Sequence, residues 1–95
     1  MPSTVSENRN HLLFFYGSDC SHCDEMEPVC EKLKTETGIE LEKIEVDHSD
    51  ENAKMMESLD KEPCGGVPFF VNTISGKTLC GEVPYEDLKN WAEGK

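Results

Sequence analysis

Two cysteines two residues apart, Cys20-Ser21-His22-Cys23, stand between an apolar, aromatic run (residues 11–17) and a stretch with helical periodicity. That junction constrains the fold more than any other feature. The run predicts a buried central strand. Beyond it, Met26, Val29, Cys30 and Leu33 recur at i, i+3, i+4 and i+7, so they share one helical face. The helix is predicted to start at the cysteines and to stop at Gly38. Pro28 lies inside it and predicts a kink, because its ring removes a backbone donor. A helix N-terminus presents unpaired N–H groups and a partial positive charge. A thiolate there is stabilised. Cys20, nearer the helix end, is the expected nucleophile, and Cys23, about one turn deeper, is placed to resolve a mixed disulfide.

The remaining chain supplies a sheet around this junction. Residues 42–47 predict a second strand, with Ile44 and Val46 on one face. A helix over about residues 50–60 is capped by Ser49 or Asp50 and turns Ala53, Met56 and Leu59 inward, with Met55 and Met56 filling core. Pro63-Cys64-Gly65-Gly66 reads as a loop. Residues 67–73 and 77–80 read as a hairpin that ends at Gly81. Pro84 opens a last helix with Leu88, Trp91 and Ala92 inside, and Trp91 and Tyr85 as packing residues. The expected fold is α/β, a β-α-β-α-β-β-α layout with a four-stranded mixed sheet flanked by helices. The first two strands are parallel through a right-handed crossover.

A chain of 95 residues suits one domain, taken here as residues 11–95 behind a mobile lead-in over residues 1–10. A formal charge of −11 argues against nucleic acid or an anionic membrane surface as partner. No segment of 1–10 has the apolar core of a leader, and no run is long enough to span a bilayer. A cytoplasmic monomer is therefore expected. Five cysteines, an odd number, cannot all pair within one chain, and a lone CxxC in such a setting points to redox chemistry or metal.

These residues resemble the thioredoxin superfamily over about residues 11–91. The CxxC follows an aromatic strand, Pro28 stands five residues after Cys23, and Lys43-Ile44-Glu45-Val46-Asp47 looks like the family strand that ends in Asp. Gly66-Val67-Pro68 looks like the segment carrying the family's cis-proline. Gly81 and Leu88 match the glycine and leucine around the last helix. The short layout is closer to glutaredoxins than to full-length thioredoxins. The resemblance implies a thiol–disulfide oxidoreductase in which Pro68 is cis and faces Cys20 and Cys23, and in which the Val67 backbone pairs with an extended protein disulfide substrate. It implies no cofactor beyond the redox-active disulfide, with a reductase or glutathione as electron donor. Three positions depart from the family: Asp19 replaces the usual Trp, Phe14 replaces a buried acid, and Ser21-His22 stands inside the motif. A His at that place favours the thiolate in disulfide isomerases and oxidases, whereas Asp19, Asp24 and Glu25 repel one.

Around the pair, His22 is read as a tuner of the thiolate against an idle exposed histidine, and Tyr16 as part of the site's rim against plain core packing. Cys30 is read as a packed, inert thiol. Cys64 has two readings, an accessory redox, glutathione or metal role and an incidental loop thiol; a Cys64–Cys80 disulfide is one option the spacing leaves open. His11 and His48 show no partner in the sequence pattern and are expected at the surface. No metal site is expected, because zinc needs four ligands and the motif supplies two. A glutathione-dependent, glutaredoxin-like enzyme and a non-catalytic metal-binding or redox-sensing module are the alternative functions.

Overall fold

In the computed structural model, which describes residues 11–60, 64 and 66–94, the apolar run forms β1 (Leu12–Tyr16). Leu12, Leu13, Phe14 and Phe15 are all buried, so β1 is covered on both faces and must lie inside the sheet. The strand order is β2-β1-β3-β4. β2 (Glu42–Glu45) runs parallel to β1, and β3 (Phe69–Asn72) and β4 (Thr78–Cys80) complete the sheet by antiparallel pairing. Three helices, α1 (Ser21–Thr37), α2 (Asp50–Leu59) and α3 (Tyr85–Ala92), complete the order β-α-β-α-β-β-α. This mixed four-stranded arrangement is that of the thioredoxin-like fold. The expected lead-in, residues 1–10, and the loop residues Pro63 and Gly65 lie outside the described residues.

Alternation along the strands divides the core into two clusters. Leu12, Phe14 and Phe70 face α1 and α3, where they meet Met26, Leu33 and Trp91. Phe14 stacks on Phe70 with ring centroids 4.6 Å apart, and Phe70 meets Trp91 edge-on at 5.6 Å. Leu13, Phe15, Phe69 and Val71 face the other way, toward Ile44, Val46, Met56 and Leu59. Phe14 is fully buried, and burying such a side chain stabilises the fold by roughly 1.5–3 kcal/mol.

Local chemistry sets the element ends. Cys20 caps α1, and Gly38, at φ +78°, ends it with its N–H on the Lys34 carbonyl at 2.8 Å. The helix continues through Pro28. Ser49 caps α2 by accepting the Asn52 N–H. Buried Asn72 donates to the Trp91 carbonyl at 3.1 Å, while its side-chain oxygen accepts the Ile74 and Ser75 N–H groups, joining the hairpin turn to α3. Several expectations are corrected. Met55 is 37% exposed and not core, and no residue of α2 is fully buried, because α2 covers its sheet face only partly. Pro84 is the N-cap of α3, one place before its first turn. His11 is half-buried rather than at the surface, its carbonyl accepting the Thr73 N–H, whereas His48 is exposed as expected, its Nδ1 3.0 Å from Glu45 Oε2.

Candidate functional site

The strand-to-helix junction sets the site. β1 ends at Tyr16, and Gly17 lets the chain pass close to Asp47, where a Cβ would sit 2.8 Å from the carboxylate. Asp47 Oδ2 accepts the Ser18 N–H at 3.0 Å and lies 3.4 Å from its hydroxyl. The turn that delivers Cys20 is thus held by the segment following β2. Cys20 then adopts an extended conformation as N-cap, and its carbonyl accepts the first helical bond, from Asp24.

Cys20 and Cys23 are joined as a disulfide, with Cα atoms 5.2 Å apart. The Cys23 N–H donates to Cys20 Sγ at 3.1 Å. Cys20 is half-buried, whereas Cys23 is 2% exposed and packs in the first core cluster. Attack from outside can therefore reach the first sulfur and not the second. Opposite, the Val67–Pro68 peptide is cis, and the Val67 carbonyl lies 3.9 Å from Cys20 Sγ. Val67 packs against both clusters and Pro68 is buried.

The other residues singled out from sequence fall at varying distances from this centre. Tyr16 is half-buried, packed on the first cluster with its ring 5.9 Å from Phe14. His22 is exposed, with Nδ1 2.7 Å from Glu82 Oε1. Cys64 does not join the pair: it is bonded to Cys80, the two Cα atoms 5.6 Å apart. Cys30 is free and buried in α1. Burial, together with the Glu27 and Glu31 carboxylates, pushes its thiol up from 9.0 to about 12, so it stays protonated at neutral pH. Two residues of the site were missed. Glu82 lies 60 residues from His22, and no local pattern announces their pairing. Asp47 was visible only as the acid ending a strand, without its hydrogen bonds to Ser18.

An accessible sulfur at a helix head, a shielded second sulfur bonded to it, and a backbone carbonyl across the gap can support disulfide exchange in two steps. A family model described as TraF, F plasmid transfer operon protein, matches residues 4–62, which include β1, both site cysteines, α1, β2 and α2. No curated protein matches the chain.

Proposed function

The chain belongs to the TraF family, F plasmid transfer operon protein, a thioredoxin-like family, and from that membership and the site geometry we propose that it is a thiol–disulfide oxidoreductase acting on protein disulfides through Cys20 and Cys23. One observation carries the reading: Cys20 Sγ accepts an N–H from the first turn of α1 while facing the Val67 carbonyl of a cis-proline segment.

In the reducing direction, the Cys20 thiolate attacks one sulfur of a substrate disulfide. A Cys20–substrate disulfide forms and the other substrate sulfur leaves as a thiolate. Cys23, deprotonated, then attacks Cys20 Sγ. The Cys20–Cys23 bond forms, and the second substrate thiolate is released and takes up a proton. Two electrons pass to the substrate, and the reverse sequence oxidises a dithiol. Val67 holds the substrate backbone by strand-like pairing, Pro68 shapes that wall, and His22 adjusts the charge beside Cys20.

The charged residues that flank the motif in sequence, Asp19, Asp24 and Glu25, are acidic, and so is Glu82 beside His22. They disfavour the carboxylates of glutathione, so a protein reductase is the better electron donor. Direction follows the compartment. A cytoplasmic setting drives substrate reduction; a lasting Cys64–Cys80 bond fits an oxidising compartment, where the same pair would oxidise its substrates.

The test is a trap. In Cys23→Ser the resolving step is lost, so protein substrates should accumulate on Cys20 as mixed disulfides that reductant releases. A lysate yielding no such adducts, with Cys20→Ser/Cys23→Ser as the blank, contradicts the proposal.

A further inference from the structure

The last residue of β4 and the two that follow it each reach a different part of the site's surroundings. Cys80 is bonded to Cys64. Gly81 N–H donates to the Pro68 carbonyl at 2.8 Å. Glu82 meets His22. The first two act on one segment. Phe69 pairs with Cys80 in the β3–β4 ladder, so the chain between Cys64 and Phe69 is fastened to the same residue at both ends, by a covalent bond at one and by sheet pairing at the other. Cys64 is also held from behind, because its N–H is received by both Asp60 carboxylate oxygens, at 3.0 and 2.9 Å. Val67 and Pro68 lie within this fastened segment.

The second disulfide does not adjoin the first core cluster. Cys64 packs on the second cluster and Cys20 on the first, on opposite faces of the sheet; Val67 touches both. Cys64 can therefore influence Cys20 only through the backbone it restrains. We infer that Cys64 and Cys80 are positioning residues for protein substrates: their disulfide holds the Val67–Pro68 wall in register with Cys20 without touching the reacting sulfurs. The inference rests on the oxidoreductase reading. Holding a receiving edge in its bound geometry lowers the ordering cost of docking an extended peptide. It does nothing for a small disulfide that needs no backbone pairing.

The experiment compares wild type with Cys64→Ser/Cys80→Ser, using a disulfide-containing peptide and a small aromatic disulfide as substrates. The double variant should lose on the order of tenfold in kcat/KM on the peptide, chiefly through KM, while exchange with the small disulfide stays within about twofold. Equal losses on both substrates, or no loss on either, would overturn the inference. A second arm reads the wall without catalysis. In Cys20→Ser/Cys23→Ser, reductant opens only the Cys64–Cys80 bond. Hydrogen exchange at the Gly81 amide should then quicken on the order of tenfold while the Val71 and Leu13 amides hold. An unchanged Gly81 amide, or a rise shared by the core amides, would overturn it. If wild type exchanges with neither disulfide, the oxidoreductase reading fails, and the amide arm alone decides the positioning of the wall.

Discussion

The backbone N–H of Cys23 points at the sulfur of Cys20 from 3.1 Å, so the helix that contains the second cysteine also solvates the first. The two sulfurs differ in access, because Cys20 is half-buried at the cap and Cys23 is 2% exposed within the core cluster. In the fully reduced protein, a short pulse of alkylating reagent should therefore label Cys20 well before Cys23 or Cys30. Mass spectrometry of the digest checks this; labelling of Cys23 ahead of Cys20 would reverse their assigned roles.

Gly17 and Asp47 act as a pair. A methyl group at position 17 would meet the Asp47 carboxylate at 2.8 Å, displacing it from the Ser18 N–H. Gly17→Ala and Asp47→Ala should each cost about 1 kcal/mol, the typical net value of one such hydrogen bond. Because both remove the same bond, the double variant should cost little more than either alone. Urea unfolding of the four proteins gives the cycle, and simple additivity would refute the shared mechanism.

Cys30 makes stability fall at high pH. Its thiol is pushed from 9.0 in the open chain to about 12 in the fold, so between those values the unfolded state releases a proton that the folded state keeps. The stability linked to Cys30 is fully present below pH 9 and is lost as pH rises toward 12, with a slope of up to about 1.4 kcal/mol per pH unit. Tyrosines and lysines also titrate in this window, so the informative quantity is the difference from Cys30→Ala. The substitution should flatten the decline in denaturant midpoint against pH; parallel curves would show that the thiol does not contribute.

Much of the architecture could be read from residue pattern because it rests on local rules. An unbroken apolar run marked β1, a four-residue periodicity marked the buried face of α1, and Gly38 marked its end. The cysteine pair was legible for the same reason: its chemistry depends on a helix terminus that the chain itself announces. What escaped depends on residues brought together from afar. Glu82 beside His22 follows from how β4 lies next to β3, and the same pairing decides the Cys64–Cys80 bond, which the sequence left as one option among others. Asp47 reaches Ser18 because β1 and β2 pair in parallel. Met55 was misread as core because it stands one place off the helix face on which Met56 and Leu59 meet the second cluster, and it is left 37% exposed.

The most direct measurement is the equilibrium of Cys20 and Cys23 against buffers of graded reduction potential, with each thiol counted by alkylation and mass spectrometry. The account predicts that the two oxidise together, in a single two-electron transition between roughly −270 and −120 mV, the span of exchanging dithiol proteins. A pair that never joins, or one that stays closed below about −300 mV as structural disulfides do, would contradict it.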